Sequence, residues 1–251
     1  MASVKKKLTD TLFVDIETAG TVPNYNELPS ELKALWLVKA RQIGRNKGME
    51  EKEAAKLYSA KAGIYSEFAK VVCVSVGYFQ VKKGKIDGFR CKSFYGEEEE
   101  ILENFIRLLK THFDRPKQQA ICGHNIKEFD IPFLCRRMVI HRLKVPRMLD
   151  ISGKKPWEVD HLVDTLHLWR FGDYKNYTSL ALLAAVLEVP TPKDDIDGSQ
   201  VHATYWVDKD VERIVRYCEK DVMTVAKVFL RLKRIPYPDD IVIESKTKLL
   251  D

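Results

Sequence analysis

The chain of 251 residues contains no run of eighteen apolar residues, so no helix is expected to span a membrane. Its first residues, Met1-Ala2-Ser3-Val4-Lys5-Lys6-Lys7, lack the apolar core of a secretory leader. The five cysteines (Cys73, Cys91, Cys122, Cys135 and Cys218) are odd in number and form no C-x-x-C pair. That argues against a zinc ribbon or a disulfide framework and fits reduced, mostly buried thiols in a cytoplasmic protein. Internal repeats and flexible linkers are also missing, so one enlarged domain covering residues 1–251 is expected. What is present is ordinary for a globular chain, at 45% hydrophobic and 31% charged residues. The net charge of +6 is compatible with a polyanionic partner, though such a charge is also common in proteins that bind none.

Leu12-Phe13-Val14-Asp15-Ile16-Glu17-Thr18 has the β-branched and aromatic content of a buried strand, expected from about Thr11 to Ile16. Strand side chains alternate faces, so Asp15 and Glu17 point the same way. Two neighbouring carboxylates at the end of a buried strand repel and lose hydration, and a hard divalent cation such as Mg²⁺ or Mn²⁺ removes that cost. Taken alone, the D-x-E pair fits equally well a strand that runs out into solvent.

Four more strands are expected: Val71 to Phe79, Lys85 to Tyr95, Gln119 to Gly123, and Val159 to Val163. Residues 19–70 read as a helical insertion between strands one and two. Ser30 caps its first helix, whose Leu32, Leu35, Trp36 and Ile43 share one side, and a second helix runs from about Met49 to Lys61. Glu97 to Glu100 lead an amphipathic helix and match the positive end of its dipole. Further helices are expected from about Glu128 to Leu143, around Leu166 to Trp169, after a Thr178-Ser179 cap with Leu180, Leu183, Val186 and Leu187 inward, and from Asp208 to Lys233. This order describes an α/β fold, a mixed five-stranded sheet flanked by helices.

Asp130 falls in the first turn of the helix that follows the fourth strand, where an acid also suits the helix dipole. In the last helix Tyr217 and Asp221 are four residues apart and share a face, next to a packing stripe of Val211, Ile214, Val215, Cys218, Val222, Val225 and Phe229. An acid so close to a packing face needs a partner, either a metal or an arginine.

Together, D-x-E in an early strand, Asn125-x-x-x-Phe129-Asp130 at a strand-to-helix junction, and Tyr217-x-x-x-Asp221 in a terminal helix resemble the DEDD (DnaQ-like) superfamily of 3′–5′ exonucleases. Tyr217 makes the chain look like the tyrosine-type subgroup; the histidine type would have His where Arg216 stands. Gly123-His124-Asn125 through Phe133-Leu134 looks most like the proofreading domain of family B DNA polymerases. The resemblance spans about Leu12 to Phe229. It implies a ribonuclease H-like fold, and the end of the sequence soon after the third motif implies a stand-alone exonuclease.

The same resemblance implies two divalent cations, Mg²⁺ or Mn²⁺, held by Asp15, Glu17, Asp130 and Asp221, an arrangement suited to in-line phosphoryl transfer. Tyr217 would orient the attacking water; an unperturbed phenol, with a pKa of about 10, is a poor proton acceptor at neutral pH. Thr18, Asn125 and Phe129 are candidates for gripping the strand, with core packing the competing role for Phe129. The expected partner is nucleic acid, DNA in preference to RNA, and no membrane. The alternatives are an exoribonuclease trimming RNA ends and an inactive binding module, which would have lost a carboxylate; none is missing. Asp164 reads as a helix cap, Cys122 and Cys218 as small buried residues, and His124 receives no role. Lys193 to Gly198 is rejected as a calcium loop, because Lys193 and Thr204 would occupy its first and twelfth positions.

Overall fold

The computed structural model describes residues 8–191, 196–238 and 240–248. Strand β1 (Thr11–Gly20) lies at the centre of a six-stranded mixed sheet. An insertion with helices α1 (Ser30–Ile43) and α2 (Glu51–Lys61) leads to the antiparallel hairpin of β2 (Ala69–Lys82) and β3 (Lys85–Tyr95). Then follow α3 (Glu98–His112), β4 (Ala120–Gly123), α4 (Asp130–Ile140), β5 (Leu162–Asp164), α5 (Thr165–Arg170), α6 (Leu180–Val186), a short α7 (Val201–Ala203), the long α8 (Val211–Lys233) and β6 (Ile243–Ser245). The strand order is β5-β4-β1-β2-β3-β6. The pairings β1–β4, β4–β5 and β3–β6 are parallel; β1–β2 and β2–β3 are antiparallel.

Alternation along β1 divides the core. Leu12, Val14 and Ile16 face α3 and α4 and pack with Phe105, Phe133 and Leu134. Phe13 faces α8 and packs with Phe79, Phe89, Val222, Val225 and Phe229. Asp15 and Glu17 have the parity of Phe13 and therefore emerge beneath α8. Phe13 meets Phe79 and Phe229 edge-on at 5.4 and 5.6 Å, a favourable arrangement for aromatic quadrupoles.

Several expectations shift. The C-terminal Ile243–Ser245 adds a sixth strand beside Phe89–Cys91, a short edge with no strong pattern in sequence. Strand β1 continues past Ile16 to Gly20, with an irregularity between Glu17 and Thr18 where it pairs with β2. The fifth strand is Leu162–Asp164 and lies beyond Val159. Helix α4 is shorter than Glu128 to Leu143, and α8 begins at Val211, capped by Asp210. Pro29, with no side-chain bond, occupies the cap position assigned to Ser30. Val186 is exposed, although Ser179 caps α6 as expected. The five cysteines are free thiols, four of them buried. No helix among the described residues is long and apolar enough to cross a membrane. Lys193 to Asp195 lie outside the described residues.

The insertion has a core of its own. Trp36 is fully buried, donates its indole N–H to the Ala54 carbonyl at 2.8 Å, and meets Tyr58 and Phe68 edge-on. Leu35, expected on the same side, is 52% exposed, because Trp36 and Ala40 define the inward stripe. Two polar ties fix this unit to the end of β1. Thr18 Oγ1 donates to the Gly63 carbonyl at 2.7 Å. His202 Nδ1 accepts from the Gly20 amide and its Nε2 donates to the Pro23 carbonyl.

Glu98 is not merely a helix-start acid. It is buried, accepts from Arg137 Nε and the Val71 amide at 2.8 Å each, and contacts His141. Arg137 also donates to the Ser66 carbonyl. One buried ion pair thus joins α3, α4, the start of β2 and the end of the insertion.

Candidate active site

Five residues expected to act together converge. Asp15 and Glu17 come from β1, Asp130 from the first turn of α4, and Tyr217 and Asp221 from one face of α8. Glu17 and Asp130 are buried and Asp15 is partly exposed. Ligand atoms of Asp15, Glu17 and Cys218 all lie within 4.8 Å of one another. At an effective dielectric near 20, two unit charges at such a separation repel by roughly 3–4 kcal/mol.

The electrostatics record this crowding. Burial pushes the carboxyl of Asp15 well up, and the charges of Asp221 and Asp130 add to the effect. Burial does the same to Glu17, aided by Asp15, Asp221 and Asp130. Asp130 is pushed up to about 7 by burial, against hydrogen bonds from its own amide and that of Ile16. Tyr217 is raised by burial and by the charges of Asp221, Glu17 and Asp15, and its hydroxyl is hydrogen-bonded to Asp221. Its phenol therefore stays protonated across the neutral range and acts as a donor.

The backbone delivering Asp130 is built with care for sterics. A Cβ on Gly123 would come within 2.7 Å of Ile126, so glycine is needed where the chain turns off β4. Asn125 adopts a left-handed conformation with φ 60°. Asp164 caps α5 through the Leu166 and His167 amides, as expected, and also accepts from the Asn125 and Lys127 amides at 3.0 and 3.1 Å. A single carboxylate thus holds both the α5 start and the loop before Asp130. His124, given no role from sequence, spans Thr165 Oγ1 and the Thr178 carbonyl with its two ring nitrogens, each at 2.9 Å.

The other candidates differ in availability. Asn125 Oδ1 is buried with no hydrogen-bond partner among the described residues. Phe129 is half-buried and packs beside Phe133, with ring centroids 5.5 Å apart, so part of its surface belongs to the core. Thr18 has committed its proton to Gly63. Cys218 is buried as expected but also contacts the site, its Sγ 3.4 Å from Asp15 Oδ2. Its position one residue after Tyr217 and three before Asp221 could have signalled this.

The donor set fits hard divalent cations: oxygen ligands from three chain segments, close enough that the Asp221 and Asp130 charges raise the pKa of Asp15 and Glu17. Asp15, Glu17, Asp130 and Asp221 are the residues that could hold them.

A family model for predicted 3′–5′ exonucleases related to the exonuclease domain of PolB matches residues 64–237. The match includes Asn125, Asp130, Tyr217 and Asp221 and begins after Asp15 and Glu17. Among solved structures, the family B DNA polymerase of the hyperthermophilic archaeon Pyrobaculum calidifontis is similar in fold, with a TM-score of 0.52 and 19% identity. The similarity covers 88% of this chain and 24% of the polymerase, so the chain spans about a quarter of that protein's length. No curated protein matches the sequence. The sheet, the helices around it and the matched two thirds of the chain agree: this protein belongs to the family of predicted 3′–5′ exonucleases related to the exonuclease domain of PolB.

Proposed function

We propose that the protein is a divalent-cation-dependent 3′–5′ exonuclease that removes nucleoside 5′-monophosphates from the end of single-stranded DNA. The observation that carries this reading is the meeting of Asp15 and Glu17 with Asp130 and with Asp221, more than two hundred positions after Asp15 in sequence. Two divalent cations held there would offset the carboxylate charges and stabilise the attacking and leaving oxygens of an in-line phosphoryl transfer. Tyr217, kept protonated, orients water through its hydroxyl. Asp130 is set rigidly by the Asp164-braced loop. Asn125, partly exposed on the loop before Asp130, contacts the strand through the exposed part of its side chain, since its Oδ1 is buried. The kinship with a DNA polymerase domain favours DNA over RNA as the substrate.

The test is digestion of matched 5′-labelled DNA and RNA single strands with Mn²⁺, Mg²⁺ or chelator. A metal-dependent ladder from the 3′ end of DNA is expected, with slower loss of RNA. Asp15→Asn should abolish the ladder and keep the fold by circular dichroism; full activity in that variant would refute the assignment.

A further inference from the structure

The segment between α5 and α6 is unusual for an exposed loop. Phe171 is 90% exposed, Tyr174 69% and Tyr177 63%. Single exposed aromatics are common on protein surfaces, but three within seven residues form a patch that burial does not explain. Phe171 also holds a left-handed backbone, φ 46°, so the chain accepts strain where it presents this ring to solvent.

The patch is fastened to the loop that carries Asn125 and Asp130. His124 meets the Tyr177 ring edge-on at 6.3 Å and is hydrogen-bonded to the Thr178 carbonyl. Glu128 pairs with Arg170 at 3.0 Å and contacts His167. His167 and the Arg170 guanidinium in turn flank the Tyr174 ring, at 6.1 and 5.7 Å.

The charged groups match a polyanion in part. Lys175 and Lys127 supply positive charge, while Glu128 and Arg170 offset one another and Asp173 caps the Lys175 amide. The Arg170 side chain is only 9% exposed, and its Nε has no hydrogen-bond partner among the described residues. Rings that stand free of one another, interleaved with cations, suit successive unstacked bases better than a protein surface, which would call for a continuous apolar area.

We propose that residues Arg170 to Tyr177 form a stacking platform for single-stranded nucleic acid, with Tyr177 nearest the carboxylates and Tyr174 and Phe171 contacting nucleotides further from the 3′ end. This rests on the exonuclease reading and specifies how that site selects an unpaired strand. Duplex ends do not offer the base faces that the platform engages, so the strand must be open before it enters.

The test measures binding of 5′-fluorescein oligothymidylate by anisotropy in Ca²⁺, alongside strand digestion and hydrolysis of thymidine 5′-monophosphate p-nitrophenyl ester in Mn²⁺. The Phe171→Leu/Tyr174→Leu double variant should bind at least about tenfold more weakly, since each lost base–aromatic stack removes a sizeable share of affinity. The Phe171→Trp/Tyr174→Trp variant should restore it, and thermal melting should show that both retain the fold. Equal affinity of the leucine variant and wild type overturns the platform. Equal loss in the leucine and tryptophan variants also overturns it, because bulk or backbone rather than a π-face would then be responsible. Wild-type protein that hydrolyses the ester while the platform variants bind normally isolates the failure to this inference. Wild-type protein that cleaves neither ester nor strand overturns the exonuclease reading and the platform with it.

Discussion

Asp130 carries its charge in a buried position beside other carboxylates, so in the cation-free protein its ionised form works against folding. Asp130→Asn keeps the shape and removes the charge. In chelator the variant should melt higher than wild type by several degrees, since each kcal/mol of relief moves Tm by about 2–4 °C in a domain of this size. Turnover should fall about a thousandfold, as several kcal/mol of transition-state stabilisation are lost. Calorimetry and strand digestion check the two halves. A destabilised variant would mean that the Asp130 carboxylate mainly serves the helix it begins. In sequence, Asp130 could be either dipole acid or site acid; nothing in its neighbours states that Asp15 and Glu17 face it. Thr18 shows the converse. It is a candidate for gripping the nucleic acid, and its hydroxyl proton goes to the Gly63 carbonyl.

At the scale of elements, the Glu98–Arg137 pair decides how α3 sits against α4. Burial alone would raise Glu98, but Arg137 and the Val71 amide outweigh it and hold the carboxyl below its ordinary value. The stability this supplies is present above the unfolded glutamate pKa of about 4.3 and is lost as pH falls through the lower folded value. Glu98→Gln leaves a buried arginine without its counter-charge and should lower stability by about 3–5 kcal/mol at neutral pH. Urea melts at neutral and acid pH check this, with the gap between variant and wild type narrowing below about pH 4. The four-glutamate run was legible as a helix start. Glu98 shares the stripe of Ile101, Leu102 and Phe105, but its counter-charge was not legible, because Arg137 is 39 positions away.

The insertion is a second element, with a core of its own and ties to the sheet through Thr18 and to α4 through Arg137. Trp36→Ala should cost about 3–5 kcal/mol of local stability, as other large-to-small core changes do. Hydrogen exchange should then rise over residues 21–68 while α3 and the β2–β3 hairpin keep their protection. Loss of protection everywhere would show that the insertion and the sheet fold as one unit. Trp36 is legible on the apolar side of its helix, but its contact with Tyr58 joins two helices whose separate patterns do not mention each other.

For the molecule as a whole, the crowded carboxylates make cation binding a stability term. Mn²⁺ at about a hundred times its Kd should stabilise the folded state by about 2.7 kcal/mol, which corresponds to a Tm rise of roughly 5–10 °C. Asp15→Asn should lose most of that rise, and chelator should reverse it in wild type. A wild-type Tm indifferent to Mn²⁺ would remove the cation site from the proposal. The sequence by itself determined the order of the first five strands and the longer helices, the D-x-E parity and the helical spacing of Tyr217 and Asp221, because periodicity and chirality are local properties of the chain. Only the tertiary structure decided that these carboxylates share one site, that Cys218 touches Asp15, that Asp164 braces the loop before Asp130, and that the tail adds a sixth strand. Each of those depends on contacts between residues far apart in the chain, and such contacts are set by how the sheet and its helices pack together.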